Sequence, residues 1–141
     1  MPERGISLEA DVQEVLDVPL MRYLDARYGG HGPDSARLSL TVGPQALNGN
    51  GGLHAGALYA LLDVVAYLAA MPSFERGQTA TTHTISVSLM RPVAEGAELE
   101  LEGRVLKRGR SLIFVHSEAR VGDKQVATAT VCKSIVRGPE T

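Results

Sequence analysis

The chain is short of the residues that define several common classes of protein. Its 141 residues include a single cysteine, Cys132, so an internal disulfide and a Cys-rich zinc site are both excluded. Tryptophan is absent and aromatic residues make up only 4% of the chain, so any pocket should be walled mainly by Leu, Val, Met and Ala. Charge of one sign is lacking too. Fourteen Lys and Arg against sixteen Asp and Glu leave a net charge of −2, too little to draw the chain to nucleic acid or to a membrane surface. The opening residues, MPERGISLEADVQEV, contain no apolar run of the secretory kind, and a soluble cytoplasmic protein is expected. No dinucleotide or phosphate-loop fingerprint, internal repeat or metal-ligand spacing of His occurs, and neither a metal nor a separate cofactor is expected.

What is present is an ordinary globular balance, 44% hydrophobic and 21% charged, in a length that suits one domain. Residues 1–33 read as an N-terminal helical segment. Leu8, Val12, Val15 and Leu16 form one stripe, Pro19 interrupts it, and Gly29-Gly30 stops it. Residues 34–138 read as the main domain. Ala36, Leu38, Leu40 and Val42 alternate with polar residues as a half-buried strand. A long apolar helix follows from Ala55. Alternation then returns four times, around Ile85–Leu89, Leu99–Val105, Ile113–Val121 and Ala127–Val131, with hairpin-length turns between. One helix followed by a run of strands predicts an α+β fold, a curved, largely antiparallel sheet of about five to six strands around one long central helix.

The run Ala55–Met71 carries one charge, Asp63, near its middle. An Asp at mid-bilayer costs about 2.5–3.5 kcal/mol, and this run is at the short limit for a span, so a helix enclosed by protein is the better reading. The same Asp stands out chemically. Asp is a poor helix former, its burial without a partner is costly, and no Lys or Arg lies within a helical turn of it. Just before the helix comes Asn48-Gly49-Asn50-Gly51-Gly52-Leu53-His54-Ala55-Gly56. Glycines there commonly mean only a turn, and a lone His commonly only a cap. A Gly-rich loop feeding a helix N-terminus also lets a ligand approach backbone N–H groups that favour negative charge.

The spacing Asn48, His54, Gly56, Asp63 resembles the signature of the hotdog-fold acyl-CoA thioesterases of the phenylacetate-pathway (PaaI-like) group. The likeness runs through Thr82–Pro92 and the turn Leu106–Arg110, over about residues 35–136. It implies a hotdog fold and hydrolysis of an acyl-CoA thioester, with coenzyme A as part of the substrate. Asp63 would be nucleophile or general base, and the N–H after His54 the oxyanion donor. Asn48 would orient water or substrate, His54 would support the loop or polarise the carbonyl, and Thr82 would position the Asp or its water. This chain has Ala55 where the family usually has Gly, which keeps the donor and adds a methyl group beside the carbonyl.

Thioester chemistry suits so few parts, because a thiol with a pKa near ~8.5 departs as thiolate without a general acid. Eight residues separate Ala55 from Asp63, about 12 Å along a helix at ~1.5 Å per residue, too far to act on one carbonyl. Two antiparallel helices in a two-fold homodimer would bring Asp63 of one chain to the Ala55 end of the other. The polar sheet face allows a dimer of dimers. Arg91, Lys107, Arg108 and Arg110, with Arg76, are candidates for the coenzyme A phosphates, although solvated hairpin charge is the commoner role of such residues. The leading expectation is an acyl-CoA thioesterase acting on aryl or medium-length acyl groups, in a pocket lined by Leu, Val, Met and Ala. Two other functions compete: a non-catalytic acyl-CoA or acyl-carrier-binding protein of the same fold, and a hydratase or dehydratase. The last needs a His–acid pair that His54 does not provide.

Overall fold

The computed structural model describes residues 8–138. Two short helices come first, α1 (Leu8–Leu16) and α2 (Pro19–Leu24). Pro19 supplies a fixed φ and a missing N–H at the first turn of α2, where neither costs anything, and Asp25 in the left-handed region ends it. Strands β1 (Arg27–Gly32) and β2 (Ser35–Thr41) form a hairpin, and a single 3-10 turn leads to the central helix α3 (Ala55–Ala70). Four long strands complete the chain: β3 (Gln78–Leu89), β4 (Glu98–Arg108), β5 (Leu112–Val121) and β6 (Lys124–Arg137). They build one six-stranded sheet in the order β1-β2-β4-β5-β6-β3, antiparallel at every pairing.

The period-two pattern sorts the two faces. Ala36, Leu38 and Leu40 on β2, Leu99 and Leu101 on β4, Ile113, Val115 and Ala119 on β5, and Ala127, Ala129 and Val131 on β6 are all buried beneath α3. Glu98, Glu100, Glu102, Arg37 and Thr41 alternate with them on the outer face. Leu61, Leu62, Val65, Ala66 and Leu68 of the helix meet this apolar floor with no exposed surface. Each fully buried Leu or Val contributes about 1.5–3 kcal/mol, so this contact is the main source of stability. The run Ala55–Ser73, α3 with the 3-10 turn that follows it, is by length and composition apolar enough to cross a bilayer, but here it is the core helix of the sheet. A curved antiparallel sheet wrapped on one long helix is the hotdog fold.

One element departs from the sequence reading. Residues 27–32 lie within the segment expected to be helical, yet they form strand β1, and the helices end at Leu24. The segment Arg-Tyr-Gly-Gly-His-Gly has no alternation to betray a strand, and its pairing with β2 slips between Tyr28 and His31. It is fixed from outside: the Tyr28 hydroxyl meets His31 Nδ1, and His31 Nε2 donates to the carbonyl of Leu68 on α3 at 2.6 Å.

Candidate active site

The loop before α3 is held by Asn48. Its Oδ1 accepts from the N–H groups of Asn50 at 2.8 Å and Gly52 at 3.2 Å, and its own backbone N–H bonds the Gly52 carbonyl at 2.7 Å. Gly51, at φ 85°, occupies the left-handed region that this tight turn needs. The sequence reading had Asn48 orient water or substrate. In the structure its oxygen is committed to the loop, and Nδ2 lies 3.5 Å from the carbonyl of Leu53.

His54 is the N-cap of α3, with Nδ1 accepting from the N–H of Gly56 at 2.9 Å. The remaining ring nitrogen, Nε2, therefore carries the proton. A Cβ built on Gly56 would stand 3.1 Å from that Nδ1, so a larger residue there would press the ring aside by a few tenths of an ångström. With Gly56 N–H bonded to the imidazole, it is not a free donor for an oxyanion. The N–H of Ala55 is: among the described residues it meets no acceptor. A cleft of about 310 Å3 opens beside it, lined by Asn48, Leu53, Leu58, Leu89, Met90 and Arg91 among others.

Halfway along the same helix, Asp63 is not isolated. Thr82 on β3 donates its hydroxyl to Asp63 Oδ1 at 2.6 Å, and Lys133 on β6 donates to the same oxygen at 2.8 Å. The ammonium also reaches Thr82 Oγ1 at 2.9 Å and the backbone carbonyl of Asp63 at 3.3 Å, three acceptors for three protons. Tyr67 places its ring 5.5 Å from the same nitrogen. Lys133 is 2% exposed, whereas the Asp63 side chain keeps 34% of its surface open. Burial pushes the Lys133 ammonium below its ordinary range, and the hydrogen bond and charge of Asp63 partly restore it. Asp63, Thr82 and Lys133 border a second cleft, of about 350 Å3, with Tyr67 and Val64.

Lys133 is invisible from the helix alone, since no basic residue lies within a helical turn of Asp63. The signal was there in the strand: Ala127, Ala129 and Val131 set the inward phase of β6, and Lys133 is the next residue in it. The basic residues separate into groups. Arg91 is exposed and lines the cleft beside Ala55. Lys107 and Arg110 stand exposed near the β4–β5 turn, and Arg76 is exposed just before β3. Arg108 instead folds inward to the carbonyls of Gly109 and Ser73 and to Gln78 Oε1, so its guanidinium ties the turn to the start of β3. Among the described residues no three His, Cys, Asp or Glu side chains gather as a metal would require.

The fold is of the hotdog class, with an acid at the middle of its central helix and an unclaimed amide at the start. The family follows: the profile of the Thioesterase superfamily matches residues 50–128, and the chain belongs to that superfamily. It is a thioester hydrolase. Among solved structures it is similar to a conserved protein of Pseudomonas aeruginosa, at 28% identity and a TM-score of 0.82 over 88% of this chain and 98% of that one. A phenylacetic acid degradation-related protein from Ralstonia eutropha matches at 25% identity and a TM-score of 0.80, over 90% of this chain and 98% of that one. A Streptococcus mutans protein bound to acetyl-CoA shares the fold at 21% identity and a TM-score of 0.74, over 82% of this chain and 91% of that one. A search of the curated proteins finds no match.

Proposed function

We propose that the chain hydrolyses the thioester of an aryl or medium-chain acyl-CoA in a site shared by two copies. Asp63 is the general base and the Ala55 N–H is the oxyanion donor. The observation that carries this reading is the carboxylate of Asp63, tied through one oxygen by Thr82 and Lys133 and open at the other beside a cleft. The Streptococcus mutans neighbour, whose structure holds acetyl-CoA, supports the ligand class. Leu53, Leu58, Leu89 and Met90 offer an aliphatic wall for the acyl chain, and exposed Arg91 at the same cleft suits a phosphate of coenzyme A.

In this scheme water gives a proton to Asp63 and its oxygen bonds the carbonyl carbon. The charge that develops on the carbonyl oxygen is met by the Ala55 N–H and the positive end of α3. The oxyanion then re-forms the carbonyl as the C–S bond breaks, the bond's electron pair leaves on sulfur, and the proton on Asp63 passes to that thiolate, which restores the carboxylate. A water between acid and carbonyl also extends the short Asp side chain by one hydrogen bond. The donor and the acid lie about 12 Å apart on one helix at ~1.5 Å per residue, so a single copy cannot complete the site. The homodimer that follows has a ready seam in β3, a twelve-residue strand at the edge of the sheet. The polar outer sheet face suits pairing of dimers.

The test is thiol release from a panel of short, medium, long and aryl acyl-CoA esters. The parent chain should turn over the aryl or medium-chain members fastest, and Asp63→Asn should lose at least about 100-fold in kcat. Full activity in Asp63→Asn removes Asp63 from the mechanism. Tight binding of every ester with no thiol released would replace hydrolysis with a binding function.

A further inference from the structure

The carboxylate of Asp63 is held asymmetrically. Both side-chain donors converge on Oδ1, from Thr82 at 2.6 Å and from Lys133 at 2.8 Å. Among the described residues Oδ2 accepts no hydrogen bond. The amine that does this sits at the end of a stem enclosed by protein, with its third proton on the backbone carbonyl of Asp63 itself. One buried ammonium thus fixes the helix backbone, the carboxylate and the neighbouring hydroxyl together. Taking a lysine out of water is costly, and pairing it with a half-open acid returns only part of that cost. A contact of this kind adds little to the fold that an apolar residue of similar volume would not.

We propose that Lys133 is a positioning residue for the hydrolysis: with Thr82 it pins Oδ1 of Asp63 and leaves Oδ2 as the oxygen that takes the proton of the attacking water. This rests on the reading of Asp63 as general base. Two donors on one oxygen stop the carboxylate from rotating about its last bond, so the free lone pairs keep one direction. Freed of Lys133, the carboxylate turns between orientations, and only some of them address the water. The loss therefore falls on the chemical step rather than on substrate binding. Among the described residues, the titratable groups that face the ammonium are Asp63 and Tyr67 of α3, and β3 contributes the neutral hydroxyl of Thr82. Because burial lowers the pKa of Lys133, the ammonium is lost at a pH below the ordinary lysine value of 10.5, and the anchor goes with it.

The experiment compares Lys133→Met, Lys133→Arg and Asp63→Asn with the parent on the fastest acyl-CoA ester of the panel. Lys133→Met keeps the apolar stem and should lower kcat about 10- to 100-fold with KM within about two-fold. The parent should lose kcat/KM as pH rises toward 10.5, and Lys133→Arg, which stays charged, should move that alkaline fall upward. Tyr67 is unchanged in that variant, so a fall caused by the phenol would stay where it was. A folded Lys133→Met with parental kcat overturns the positioning role. Should Lys133→Met not fold, the pH profiles decide: a parent with no alkaline fall, or a fall that Lys133→Arg leaves in place, overturns it too. Asp63→Asn separates the two ideas. If it retains the parental rate, the general-base reading fails; if it is inactive while Lys133→Met is fully active, only the positioning role fails.

Discussion

His54 decides which amide is left for chemistry. Its ring takes the N–H of Gly56 and leaves that of Ala55, at the first position of α3, unclaimed. This makes Ala55→Pro an unusually clean test. Proline is favoured at the first helical position, and His54, at φ −65° and ψ 133°, already has the extended conformation that a following proline imposes. The variant should fold and melt like the parent but lose about 10²–10³-fold in kcat, the size expected for one oxyanion donor. Thiol release and a melting curve check it; an active, folded Ala55→Pro would remove that N–H from the mechanism. Sequence reading could reach His54, Ala55 and Asp63 because their relation is local, set by residues on one helix. The alternation of β6 marks Lys133 as inward, but not what it meets, because its partner Asp63 lies 70 residues earlier in the chain.

At the scale of elements, the seat of α3 on the sheet places Asp63. Gly103 on β4 lies so close beneath the helix that an added Cβ would meet the carbonyl oxygen of Val65 at 2.6 Å. On β5, buried Ser117 donates to the carbonyl of Leu62 at 3.0 Å, and on β6 Lys133 reaches the next carbonyl, that of Asp63. Three neighbouring strands thus grip one stretch of helix. Gly103→Ala should push α3 away from β4 and cost about 3 kcal/mol of stability, read from chemical denaturation, because backbone cannot yield as a side-chain tip does. Activity of the folded fraction should fall as well, since Asp63 moves with its helix while Thr82 stays on β3. Unchanged stability would mean that the helix has room to spare. Alternation made five strands legible, from β2 to β6, whereas β1 has none. Its strand character comes from pairing with β2 and from His31 bonded to Leu68.

For the whole molecule, the central question is how many chains make one site. If Asp63 of one copy serves Ala55 of the other, Asp63→Asn and Ala55→Pro homodimers are both inactive for different reasons. Mixed and allowed to exchange, they form heterodimers in which one site holds both defects and the other holds neither. With random pairing of equal amounts about half the dimers are mixed, so about a quarter of the parental activity should return. Heterodimers that form without recovering activity would put donor and acid in one chain. The sequence alone determined the central helix and five of the six strands: alternation marked the inward faces, the loop and His54 marked the start of the helix, and a solitary acid marked its middle. Tertiary structure decided what those residues do. Which amide is free, which carboxylate oxygen is tied and which lysine ties it depend on strands distant in the chain folding back over one helix, and contacts of that range leave no spacing in the sequence to read.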